Sequence, residues 1–145
     1  MKDIHIRKLK AEDTEDISNI YAAITRTPVR DDFIQIIAEQ VNNKEDASFV
    51  AELDGRVVGY MICIVISGGF GIKKGTWIAN MGVNPKFMGQ GIGEKLATRI
   101  FKFSREKGIK DIYTSVRWDS PDLLSFFKTL GFDRSNFINL RKVLE

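Results

Sequence analysis

The chain holds one cysteine and one histidine in 145 residues, and that scarcity closes off several chemistries. Cys63 has no second thiol in the chain, so no intrachain disulfide can form. It stands between Ile62 and Ile64, the setting of a buried, inert thiol rather than of a nucleophile. One His and one Cys cannot build a zinc site of the usual nitrogen and sulfur donors, so no metal is expected. His5 falls in a predicted first strand, which argues against a serine–histidine–aspartate mechanism. Long apolar runs are missing too. None reaches the roughly 20 residues that a membrane-spanning helix needs, and the longest, 57–66, is interrupted by Gly59 and reads as a buried strand. The first residues show no signal-peptide h-region. The expectation is a cytoplasmic protein with no membrane partner. Residues 73–84 contain no Asp or Glu, a gap that bears on proton transfer.

What is present is ordinary globular material. Hydrophobic residues make up 43% and charged residues 28%, as in soluble domains. The length fits a single domain, 1–145, and a chain of this size hides roughly two-thirds of its unfolded surface. The net charge of +3 suits an anionic ligand. Lys102, Arg105, Lys107 and Lys110 gather near the end of one predicted helix, where the dipole favours cations and a solvated face is the ordinary outcome. Nucleic acid is not expected as a partner.

The hydrophobic pattern sets out the elements. Residues 4–9 alternate as a strand. Glu12, Asp13, Glu15 and Asp16 load the start of a helix with negative charge, where the macrodipole favours it, and Ile17, Ile20, Tyr21 and Ile24 follow at helical spacing. Pro28 breaks the pattern, and a second helix from about Asp31 buries Phe33, Ile37 and Val41. Strands at 48–53 and 56–66 flank Asp54-Gly55, a strong hairpin signal. A glycine-rich loop follows, then a strand at 75–83 that Asn84-Pro85 ends. The next helix shows Ile92, Leu96, Ile100 and Phe103 on one face and stops at Gly108. A strand at 111–116 precedes Ser120-Pro121-Asp122, a helix cap with proline in the first turn. Leu123, Phe127 and Leu130 are the expected inner face of that helix, Gly131 stops it, and 137–144 is the expected last strand, with 132–134 as a further short one. The order is β-α-α-β-β-β-α-β-α-β(-β), an α+β fold around a mixed sheet.

Between the strand at 75–83 and its following helix lies Met88-Gly89-Gln90-Gly91-Ile92-Gly93. Glycine lets the backbone turn where a Cβ would clash. Several N–H groups can then converge at the positive end of a helix, a setting that favours phosphate. The same residues also suit a plain glycine turn before a helix. Two common nucleotide motifs are excluded. In G-x-G-x-x-G register from Gly89 the third glycine would fall at Glu94, and Gly93 is followed by Glu94-Lys95 where a P-loop needs Lys-Ser/Thr.

Met81-Gly82-Val83-Asn84-Pro85 followed by Gly89-Gln90-Gly91-Ile92-Gly93 resembles the pyrophosphate-binding motif of the GNAT superfamily of acyl-CoA-dependent N-acetyltransferases. Ser120 through Phe127-Lys128-Thr129-Leu130-Gly131-Phe132 is similar to that family's later helix. The element order agrees as well, so the resemblance covers nearly the whole chain. It implies a mostly antiparallel central sheet flanked by helices, with acetyl-CoA as cosubstrate. It places cofactor contacts at Met81, Val83, Met88, Gly89, Gln90, Gly91, Ile92, Gly93, Ser120 and Phe127. The activity it implies is direct attack of an amine on the thioester, with the Met81 backbone N–H as oxyanion donor.

Three positions depart from the family pattern. Met88 stands where Arg or Gln usually opens the cradle, Ser120 where Asn is common, and Phe127 where a tyrosine often protonates the leaving thiolate. Many relatives carry a glutamate on the strand that here has none. Asn80 is polar but takes no proton near neutral pH, so its expected role is to position water or the amine, while Glu52 and Asp119 are remote candidates for a base. By resemblance the acceptor amine is bordered by 24–32, by the loop 67–72 and by 135–139, with Arg26, Arg30 and Asp32 available to select a charged substrate. The alternative to an enzyme is a weakly catalytic acyl-CoA sensor or interaction module. A homodimer paired through 139–144 is a further expectation.

Overall fold

The computed structural model of the chain describes residues 3–43, 47–67 and 74–145. They divide into two compact units, Met1–Ser115 and Val116–Glu145.

The first unit carries strands β1 (His5–Lys8), β2 (Phe49–Leu53), β3 (Arg56–Ser67), β4 (Lys74–Val83) and β5 (Ile112–Thr114), and helices α1 (Thr14–Thr25), α2 (Asp31–Val41) and α3 (Ile92–Glu106). The strands lie in chain order in one sheet, antiparallel from β1 to β4, with β5 parallel to β4. The parallel pair is separated by α3, as a crossover connection requires.

Each face of the sheet has its own core. Ile17 and Ile20 from α1 and Phe33 and Ile37 from α2 pack with Val50, Tyr60 and Ile62 on one face. Burying each such aliphatic or aromatic side chain contributes about 1.5–3 kcal/mol. On the other face Ile92, Leu96 and Ile100 of α3 are buried, and Thr76 of β4 shares a 2.8 Å hydrogen bond with Ser104. A Cβ on Gly59 would stand 2.8 Å from Ile92 Cγ2, so only glycine lets the first turn of α3 lie directly on β3.

The acidic start of α1 is more than dipole compensation. Asp13, in the 3-10 turn Ala11–Asp13, is buried and takes two hydrogen bonds from Arg7 at 2.8 and 2.9 Å and one from the Lys10 amide at 2.8 Å. Asp16 accepts from the Val57 amide at 3.1 Å and ties α1 to the start of β3. Glu52 accepts from Arg7 at 3.2 Å. It is therefore a paired carboxylate, which weakens it as a candidate base.

The second unit is built around α4 (Pro121–Thr129). Phe127 is buried, with Phe126 and Phe132 each 5.1 Å from it edge to face. Gly131 takes φ of 92°, and the Phe132 amide returns to the Phe127 carbonyl at 3.0 Å, closing the helix. Three expectations fail here. Ser120 precedes the helix but caps it only through its backbone carbonyl, bonded to the Leu124 amide, and not through its side chain. Leu123 is exposed rather than inward. The segments 132–134 and 137–144 form no strand; Ile138, Leu140 and Leu144 are exposed, and among the described residues no neighbouring strand supplies the ladder that an alternating pattern needs.

Candidate active site

Strand β4 changes character along its length. Its first half is paired on both sides: β3 through the register Ser67↔Lys74 to Cys63↔Ile78, and β5 through Thr76↔Ile112 to Ile78↔Thr114. The β5 ladder then stops. The Thr114 hydroxyl donates to the Ile78 carbonyl at 3.0 Å, a side-chain cap on the last rung. From Ala79 onward β4 pairs with β3 alone among the described residues.

A bulge decides what this open edge presents. Ile62 faces Asn80 and Cys63 faces Ile78, so Ala79 is an extra residue without a partner. Thr76 directs its amide to Asp111 on the β5 side, 3.0 Å away, whereas Asn84 directs its amide to Val58 on the β3 side, 2.8 Å away. Amide direction alternates along a strand. Counting back from Asn84, the amides of Gly82 and Asn80 face β3, and those of Met81 and Val83 face the open edge. Were Ala79 paired as an ordinary residue of the ladder, the parity would be reversed. The bulge thus leaves two N–H donors, at Met81 and Val83, outside the ladder. Backbone donors of this kind are what an oxyanion or an extended polar chain requires.

The strand runs straight into the cradle. The Asn84 side chain accepts from the Lys86 amide at 3.0 Å and the Asn84 carbonyl from Phe87 at 2.8 Å, which folds Pro85–Phe87 into a 3-10 turn. Gly89 and Gly91 then take φ of 83° and 76°, conformations that L side chains rarely adopt. Gly91 is the N-cap of α3, and its carbonyl accepts from the Lys95 amide at 3.0 Å. The amides of Ile92, Gly93 and Glu94 therefore precede the first intrahelical bond and, among the described residues, are unmatched donors at the positive end of a fifteen-residue helix. Space beside Gly89 and Gly91 is open, since a Cβ on either meets nothing within 4 Å. Met88 is 61% exposed and adds no polar group. These features fit a diphosphate held by main-chain amides.

The α1–α2 face of the same strand carries an arrangement that sequence reasoning missed. Tyr60 of β3 lies opposite Gly82, and a Cβ there would be 2.8 Å from Tyr60 Cε1 and 2.9 Å from Ile24 Cδ1. The bare glycine lets the Tyr60 ring cross β4, and its hydroxyl donates to Asn80 Oδ1 at 3.1 Å. Tyr60 is 1% exposed. Burial first, with Tyr21 adding, raises its pKa above the usual phenol value, so the group stays protonated. Phe33 lies 6.2 Å from Tyr60 and 4.4 Å from Tyr21, ring centre to ring centre. Trp77 and Tyr113 lie with ring planes 19° apart, and Trp77 is opposite Ile64, two places along β3 from the partner of Asn80. A lone tyrosine within the apolar run 57–66 was the available signal; that it faces Gly82 is set by the register.

The remaining expected residues separate. Asp119 is held by Arg117 at 2.9 Å, and that hydrogen bond lowers its pKa, so it is a poor proton acceptor. Asp119, Ser120 and Phe127 all belong to the second unit. Arg30 and Asp32 pair with each other at 3.4 Å on the surface, and Arg26 ends α1 in a left-handed conformation with φ of 57°. Of the loop 67–72, only Ser67 is among the described residues. Cys63 is buried, as expected. No group of three or more potential metal ligands occurs among the described residues, and no described helix is long and apolar enough to cross a membrane.

Several solved structures share this architecture. An aminoglycoside N-acetyltransferase in complex with CoA superposes with a TM-score of 0.82 at 15% identity, covering 99% of this chain and 96% of that one. An aminoglycoside acetyltransferase from an uncultured soil metagenomic sample gives 0.77 at 20% identity over 98% and 97%. A ribosomal-protein-alanine N-acetyltransferase from Brucella melitensis biovar Abortus 2308 gives 0.77 at 14% over 99% and 100%. At these identities the likeness establishes the fold. Residues 14–132 match the acetyltransferase (GNAT) family over most of the chain's length, and the chain belongs to that family.

Proposed function

We propose that the chain is an N-acetyltransferase that moves an acetyl group from acetyl-CoA to an amine by direct attack. The observation that carries this reading is the sequence of open main-chain donors: Met81 and Val83 at the unpaired edge of β4, then the amides that follow Gly91 at the start of α3. In this reading residues 88–93 hold the diphosphate of CoA and the Val83 amide holds its pantetheine arm. The Met81 amide donates to the thioester oxygen as negative charge grows there. For Ser120 and Phe127, in the second unit, a cofactor role rests on the family resemblance alone. Phe127 has no proton to give, so the departing thiolate takes its proton from solvent.

Proton removal from the amine relies on positioning and water. Glu52 and Asp119 are both committed to arginine partners, and 74–84 offers no carboxylate. Holding amine and thioester together supplies much of the acceleration in such a bimolecular transfer. The same reading keeps a homodimer through 139–144, where Leu140, Val143 and Leu144 are exposed, as a contact made without a preformed strand.

Titration calorimetry on the folded protein, followed by thiol release with a panel of amines, tests this. Binding of CoA and acetyl-CoA with amine-dependent thiol release is the expected result. Binding without turnover on any amine would make the chain a CoA-binding module. No heat at millimolar CoA would overturn the reading altogether.

A further inference from the structure

The reading above leaves the acceptor open, and the Tyr60–Asn80 pair narrows it. An asparagine amide can present its oxygen or its nitrogen to a ligand. Here the choice is forced. Tyr60 is buried, its pKa is raised by that burial, and a buried phenolic hydrogen needs an acceptor. Asn80 Oδ1, at 3.1 Å, is that acceptor. The Asn80 nitrogen makes no hydrogen bond among the described residues, and the residue is half-buried rather than enclosed. What the site offers beside Met81 is therefore a fixed pair of N–H donors, with the oxygen turned away. Such a group repels an ammonium and pairs with an oxygen acceptor.

Resting on the acetyltransferase reading, we propose that Asn80, held from behind by Tyr60, is a specificity-determining donor that selects amines whose adjacent carbon bears a carbonyl, as in peptide N-termini and amino-acid amides, over alkyl amines such as the lysine side chain. The carbonyl oxygen of such an acceptor accepts from Asn80 Nδ2 while its amine faces the thioester. The absence of a carboxylate from 74–84 points the same way. A peptide α-amine titrates near 7.7–8.0 and a lysine amine near 10.4, so only the former arrives substantially neutral at pH 7.

The test compares alanine amide with 3-methylbutan-2-amine, which replaces the carboxamide by an isosteric isopropyl group. The quantity read is kcat/KM per neutral amine, with acetyl-CoA saturating. Alanine amide should be favoured about tenfold or more, the scale of one neutral hydrogen bond. Asn80→Asp keeps an oxygen for the Tyr60 hydroxyl but replaces the donor with an acceptor, and Tyr60→Phe releases the amide. Each should reduce the preference to about threefold or less, chiefly through KM for alanine amide, while CoA affinity by calorimetry stays within twofold of the parent. Equal rates on the two amines in the parent, a preference unchanged in Asn80→Asp, faster turnover of alaninol than of alanine amide, or no turnover of either amine by a protein that binds acetyl-CoA would each overturn the assignment. Failure to bind CoA at all would instead overturn the acetyltransferase reading on which it rests.

Discussion

The two halves of β4 share one strand and serve opposite ends. From Lys74 to Ile78 the backbone is committed: β3 on one side, β5 on the other, and the last rung closed by the Thr114 hydroxyl. From Ala79 to Val83 the β3 ladder continues, but the other edge keeps its donors unmatched. The β5 ladder ends between them, and the extra residue at Ala79 sets which amides face the open edge. A strand whose every N–H is paired contributes to stability and can bind nothing through its backbone. A strand with two amides left over forgoes two ladder bonds and gains a site whose geometry is fixed by the sheet behind it. Backbone donors of this kind tolerate side-chain variation, so methionine and valine present the same N–H that any residue but proline would.

Proline scanning breaks the comparison most sharply. Proline removes one N–H and needs a free edge to do so without harm to a sheet. Met81→Pro removes a donor that faces no strand, so the fold should persist by circular dichroism while kcat falls by about 10²–10³, the usual loss for one oxyanion donor. Thr76→Pro removes the amide bonded to Asp111. It should instead lower the thermal midpoint. If the two variants behave alike, the two halves of the strand do not differ as described.

A smaller effect is expected where the open half meets the cradle. Gly91→Val puts a β-branched side chain at φ of 76°. A left-handed conformation costs an L residue about 1–2 kcal/mol, so the start of α3 should rearrange. CoA affinity should drop tenfold or more in calorimetry, with melting lowered only modestly. The smallest effect belongs to Met88. Its exposed side chain adds no polar contact, so Met88→Ala should change stability by no more than about 0.5 kcal/mol and CoA affinity by less than threefold. A large loss in Met88→Ala would show that a side chain, and not the main chain, holds the diphosphate.

The cradle was legible because its requirement is written in residue types. Gly89 and Gly91 occupy left-handed positions that exclude most alternatives, and the apolar spacing from Ile92 to Phe103 marks the helix that follows. Gly82 was legible only as part of a motif. That it makes room for the Tyr60 ring depends on the β3–β4 register, which a strand pattern does not encode. Glu52 is similar: its distance from Arg7 in sequence hides the 3.2 Å pairing that removes it as a base. The alternating residues of 137–144 predicted a strand, and alternation alone cannot supply the neighbour whose hydrogen bonds would make it one.

The sequence by itself determined the order of elements as far as α4, the glycine-built start of α3, and the absence of cysteine, histidine or carboxylate chemistry on β4, because these follow from local conformational preference and from which atoms are present. Only the tertiary structure decided that Met81 and Val83 turn their amides to an open edge and that Asn80 offers its nitrogen rather than its oxygen. Both depend on how neighbouring strands align: one unpaired residue at Ala79 resets the direction of every amide after it, and a tyrosine 20 residues away in sequence occupies the asparagine oxygen.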